Sequence, residues 1–165
     1  KDITFDTSIR ARFGTQVEAA LAGGLRAWEA DAAGSLARIL LLDQFPRNLF
    51  RDTARAFAGD AQALEIAERL VASGQDKNLP PIRRCFVFLP FEHSESLLNQ
   101  ERSVALFAGL RREAQTAAFE STYDYAVRHR EIIERFGRFP HRNAALGRRS
   151  TAAEVEFLSQ PGSGF

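Results

Sequence analysis

Phe5, Ile9, Phe13, Val17 and Leu21 stand at every fourth position near the start of the chain. A half-buried strand needs apolar residues at every second position, whereas this spacing puts them on one face of an α-helix. Asp2 is placed to cap the first turn and Gly23-Gly24 to end the helix. The helical reading continues along the chain. Ser35–Gln44 is apolar almost all round, through Leu36, Ile39, Leu40, Leu41 and Leu42, which predicts a central, buried helix. Pro46 is expected to stop it, because the residue before a proline avoids the α region. Asp60 is expected to cap a third helix reaching about Ser73, closed by Gly74. Pro80-Pro81 can open a fourth, since proline at the first helical position gives up no hydrogen bond. Cys85–Leu89 would fit a short strand by itself. With helices on both sides and no partner strand it is assigned to that fourth helix, which Pro90 should close.

Ser94 or Ser96 opens a long helix through Arg112, with Leu97, Val104 and Phe107 on one side. Another runs from about Thr116 to Phe136. Thr151-x-x-Glu154 is a capping box ahead of a short final helix around Val155 and Leu158. The expected fold is all-α, about seven helices joined by short loops. No repeat at a fixed period near 34 residues marks a regular solenoid.

A length of 165 residues predicts a single helical domain, 1–165. Fourteen phenylalanines call for an aromatic core or an apolar groove. The net charge of +1 gives no general pull toward nucleic acid or membrane. One cysteine, Cys85, excludes an internal disulfide and a Cys-based zinc cluster, and its apolar neighbours predict a buried, inert thiol. No run approaches the ~18 apolar residues of a membrane span, and no signal peptide is visible, so the cytoplasm is the expected compartment. The chain lacks an initiator methionine, which predicts a missing or processed start.

Three polar features sit where a plain helical core would be apolar. Asp43 lies one turn past Ile39 and Leu40, on the core side of the most buried helix, where a carboxylate needs a cation, hydrogen bonds or a proton. His129 shares a stripe with Tyr125, Ile132 and Phe136, at spacings of four, three and four. In Glu92-His93-Ser94-Glu95, capping accounts for Ser94 and Glu95 but not for His93. Each of these has a structural explanation, a satisfied core side chain or a cap, as well as a functional one.

A fourth feature is a duplication. Phe45-Pro-Arg-Asn48 is echoed in Phe136-Gly-Arg-Phe-Pro-His-Arg-Asn143. Each copy follows a helical run and continues into an arginine and a Thr-Ala: Arg51-Asp-Thr-Ala54 and Arg149-Ser-Thr-Ala152. Gly137 can end its helix in the left-handed conformation and Pro140 prevents resumption. Both loops therefore work as rigid helix terminators. They can also meet at one site, where arginines grip an anion and asparagines hold backbone.

The stretches "LLLDQFPRN", "TARAFAGDAQAL", "FLPFEHSES…NQ" and "HREIIERFGRFPHRN" resemble, in order and spacing, the bacterial family called domain of unknown function 924, from about Phe5 to Leu158. The family's usual opening Trp-Phe segment is not found. The resemblance implies an all-helical, tetratricopeptide-like fold, helix hairpins in a right-handed array, and no assigned reaction. It also implies that Asp43, Gln44, Arg47, Asn48, His93, Ser94, Glu95, Gln100, His129, Arg138, His141, Arg142 and Asn143 carry the family's motifs. Most of them coincide with the misplaced polar residues above, which favours a shared polar pocket.

Two function classes follow. In the first, Arg47, Arg138 and Arg142, with Asn48, Gln100, His141 and Asn143, bind a small phosphate- or carboxylate-bearing ligand. His93, His129 or His141 then serves as acid or base, with Asp43 or Glu95 fixing a tautomer. A metal site built from the three histidines with Asp43 and Glu95 matches no known ligand spacing, and the arginines would repel a cation. No metal or cofactor is therefore expected. In the second class the chain is a peptide-binding interaction module whose polar motifs form a structural network. RNA binding, which would rest on seven arginines against two glutamates over Arg128–Arg149, is the weakest reading because the overall charge is near neutral.

Overall fold

The computed structural model describes residues 2–163, so the ends of the expected 1–165 domain lie outside the described residues. The first helix, α1 (Ile3–Leu21), begins at Asp2, whose carboxylate accepts from the Thr4 and Phe5 amides at 2.9 and 3.0 Å. Ile9, Val17 and Ala20 are its buried positions. A 3-10 turn, Arg26–Ala30, leads to α2 (Ala32–Ile39), capped by Asp31.

Pro46 does not stop this second helix. The chain passes through a π-helical turn, Leu40–Gln44, directly into α3 (Phe45–Leu49). In the widened turn the Phe45 amide donates to the carbonyl of Leu40, five residues back. The extra residue lets the proline ring enter the first turn of α3, clear of the carbonyl it would strike in a regular helix.

A 3-10 turn, Ala54–Phe57, precedes α4 (Asp60–Ala72), and another, Gln75–Asn78, precedes α5 (Pro81–Glu92). Cys85–Leu89 is helical, as assigned from its surroundings. Pro90, however, lies inside α5, and the helix runs on to Glu92 with the His93 amide donating to the Leu89 carbonyl at 2.8 Å. So late in the helix the missing N–H removes one hydrogen bond without unravelling the last turn. Next come α6 (Leu97–Ala114) and α7 (Ala117–Phe136), the latter ended by Gly137 at φ +68°. A 3-10 turn, Pro140–Arg142, follows, and α8 (Ala152–Leu158) starts from the complete Thr151–Glu154 capping box.

Counting α2, the π-turn and α3 as one bent rod, the described residues form seven helices and no strand. Helix α6 packs between α5 and α7, α4 lies against α2 and α5, and α1 lies against α3 and the π-turn. Short turns at 93–96 and 115–116 make α5, α6 and α7 consecutive antiparallel hairpins. Phe88, Phe91 and Phe107 are fully buried with Ile39, Leu42 and Leu110, and Phe88 meets Phe107 edge-on. Ile132, Ile133 and Phe139 form a smaller cluster closed by Phe136 and Phe157. Cys85 is buried, and burial pushes its thiol above the ordinary range. Among the described residues no helix is long and apolar enough to cross a membrane.

Candidate functional site

The π-turn sets the site. It holds Asp43 at 0% exposure, with its carboxylate between α3 and the C-terminal end of α5. Asp43 Oδ1 lies 2.7 Å from His93 Nδ1 and 3.3 Å from Arg47 Nη1, and Oδ2 accepts from Gln44 Nε2. Burial works against its ionisation, but the charges and hydrogen bonds around it win, holding this carboxyl well below the usual range. His93 moves down as well: burial, helped by Arg47 and Arg142, outweighs the pull of Asp43. The neutral imidazole therefore donates from Nδ1 to Asp43 and leaves Nε2 as an acceptor.

A second carboxylate, Asp60, joins the two Phe-Pro-Arg-Asn loops. It is the first residue of α4, not its cap, which is Gly59. Arg47 binds it through both fork nitrogens at 3.0 Å, and Arg142 Nη1 approaches Oδ2 at 3.3 Å. Burial and the nearby Asp43 charge raise the Asp60 pKa despite both arginines. The close approach depends on Gly59, where a Cβ would stand 2.3 Å from the Leu42 carbonyl oxygen in the π-turn.

Arg142 is 6% exposed and sits over the rings of Phe57 and Phe139, at 4.8 and 4.5 Å from their centroids. Its Nε is buried without a partner among the described residues, and burial brings its pKa down to about 10. His129 donates from Nδ1 to the Tyr125 carbonyl at 2.8 Å, with Glu92 Oε1 3.4 Å away. Burial drives His129 down to about 3 and His141 to about 4, with Arg142 adding to the second shift. Glu92 is pushed up to about 8 by burial and by Asp43, so it is protonated at neutral pH.

Arg47, Phe57, His93, His129, His141 and Arg142 wall a cavity of about 260 Å³, with Arg51, Asp52, Ala56 and Ala145 at its sides. The structure thus brings Arg47, His93, His129, His141 and Arg142 together, with Asp43 directly behind His93. The other five candidates stand elsewhere. Asn48 donates to Asp6 in an open cleft of about 690 Å³ beside α1. Gln100 donates to the carbonyls of Glu92 and Ser94, tying down the turn that carries His93. Glu95 accepts from the Phe139 amide and from both fork nitrogens of Arg148. Arg138 pairs bidentately with Glu154, and Asn143 bonds Ser150 and Arg148. Both loops give their arginine to the cavity, while their asparagines go to separate structural partners.

Asp60, Glu92 and Phe57 belong to the site without having been singled out in the sequence. Asp60 looks like an ordinary helix start, and Glu92 is visible only as the neighbour of His93. Among the described residues no three His, Cys, Asp or Glu side chains are arranged to hold a metal.

The family model described as "Bacterial protein of unknown function (DUF924)" matches residues 1–162. A solved structure, that of a protein of unknown function, ATU0120, from Agrobacterium tumefaciens, is 40% identical in sequence with a TM-score of 0.87. The match covers 96% of this chain and 86% of that one. No curated protein matches.

Proposed function

The chain belongs to the bacterial DUF924 family, whose function is unknown, and from that premise we propose that its cavity binds a small anion, phosphate- or carboxylate-bearing, on Arg142. The observation that carries this reading is the state of Arg142. Its guanidinium is desolvated between two aromatic rings, has a buried Nε with no partner among the described residues, and shares its acidic partner, Asp60, with Arg47. A buried cation with incomplete hydrogen bonding gains strongly from an anionic oxygen. Arg47 is less available, because its fork already holds Asp60.

The volume limits the ligand. About 260 Å³ falls below the roughly 300–1,000 Å³ of sites for drug-sized molecules, so a small acid or a short phosphate ester fits and a dinucleotide does not. His93 supplies the chemistry. Its Nε2 can take a proton from a ligand hydroxyl or a water while the buried Asp43 stabilises the resulting imidazolium.

Isothermal titration of inorganic phosphate into the wild type and Arg142→Met tests this. Saturable binding that weakens at least about tenfold in the variant, with circular dichroism showing it folded, is the expected result. No binding to the wild type, together with a large loss of thermal stability in Arg142→Met, would favour the peptide-module alternative. In that case the polar residues act as an internal network, as the bonds of Glu95, Arg138 and Asn143 already do.

A further inference from the structure

We propose that the cavity selects anions that also carry a hydrogen-bond donor, a protonated oxyanion such as phosphate or a hydroxylated carboxylate, over anions with none. This rests on the reading of the cavity as a small-anion site and adds to it the chemical class of the ligand.

The argument starts at Asp43. A buried carboxylate only accepts, and here its oxygens already face Gln44 and Arg47 donors. The ring nitrogen 2.7 Å from it, His93 Nδ1, must therefore hold a proton. His93 is 13% exposed and lies beside two guanidinium groups, surroundings that oppose a second proton on the ring. With Nδ1 committed to Asp43, the lone pair of Nε2 is what the ring presents to the cavity it lines.

His129 follows the same logic with a different anchor. A peptide carbonyl also only accepts, so His129 Nδ1 carries the proton toward Tyr125 and the other nitrogen is the acceptor. The two rings are neighbours, with centroids 6.3 Å apart.

The cavity thus offers a donor array on Arg142 and an acceptor on His93. An anionic oxygen satisfies the arginine, but the same oxygen against His93 Nε2 sets lone pair against lone pair. A ligand meets both groups only if it brings an O–H or N–H as well. At neutral pH every form of inorganic phosphate keeps at least one O–H, whereas sulfate keeps none. Glycolate differs from acetate in the same way.

Competition of phosphate against sulfate and of glycolate against acetate, by titration calorimetry on the full chain at pH 7.5, reads the selectivity directly. The donor-bearing member of each pair should bind at least about tenfold more tightly, the cost of leaving a buried acceptor unmet. In Asp43→Asn the amide can offer its N–H₂ to His93 Nδ1 and move the ring proton to Nε2, so the ratio should shrink or invert. Imidazole ¹⁵N spectra of the wild type give a reading independent of ligand and variant, and His93 should appear as the neutral Nδ1–H tautomer. An Nε2–H tautomer or an imidazolium would sink the proposal. Equal affinity within both pairs would overturn the selectivity while leaving the anion site standing. Failure of all four probes to bind would remove the anion site and this inference with it.

Discussion

At the scale of single residues, burial holds Glu92, His129, His141 and Arg142 away from their solution states. Glu92 is the clearest case. Its pKa is raised from 4.5 to about 8, so the folded chain keeps a proton that the unfolded chain has already lost over most of that interval. Its neutral form is fully accommodated below pH ~4.5, and stability is lost as pH rises toward about 8. Glu92→Gln, which copies the protonated shape, should melt above the wild type at pH 8 and draw level with it near pH 5. Scanning calorimetry across that range checks this, and an unchanged difference would mean that Glu92 does not titrate there. His129 and His141 work with the opposite sign. Their folded values of about 3 and 4 lie below the unfolded 6.5, so stability falls as pH drops from about 6.5 toward 4.

At the scale of elements, the π-turn is the decisive departure from a regular helix. Pro46 and Pro90 look alike as helix stops, yet both are absorbed, one by a widened turn and one by a late position in α5. The first solution buries Asp43. It also brings the Leu42 carbonyl against Gly59, which puts Asp60 within reach of Arg47. Gly59 has an ordinary negative φ of −93°, so its requirement is one of space rather than conformation. Gly59→Ala would set a methyl against backbone at 2.3 Å. It should cost about 1–3 kcal/mol in urea unfolding, the range for overpacking, and weaken phosphate binding by displacing Asp60. A variant as stable as the wild type would show that α4 can shift without loss.

At the scale of the whole molecule, the cavity exists because distant segments are clamped together. Glu95, in the turn after α5, holds the Phe139 amide and the fork of Arg148, which in turn holds Asn143 and the Phe139 carbonyl. This clamp presents His141 and Arg142 to His93. Arg148→Met should lower phosphate affinity several-fold at a stability cost of only about 1 kcal/mol, since the pair is partly exposed. Calorimetry with a parallel melting curve separates the two effects, and full affinity in the variant would show the loop holds its place without the clamp.

Much of this was legible in the chain itself. The all-helical class, the caps at Asp2 and Thr151, the left-handed Gly137 and the misplaced Asp43, His93 and His129 all follow from contacts within a turn or two. Those are the distances at which sequence spacing has physical meaning. The fates of the arginines did not follow. Arg142 reaches Asp60 across 82 residues and His93 reaches Asp43 across 50, and nothing local distinguishes those arginines and histidines from Arg138, paired 16 residues away with Glu154. Which polar side chains face a cavity and which merely hold the fold is settled by the packing of whole helices. Only the tertiary structure could decide it.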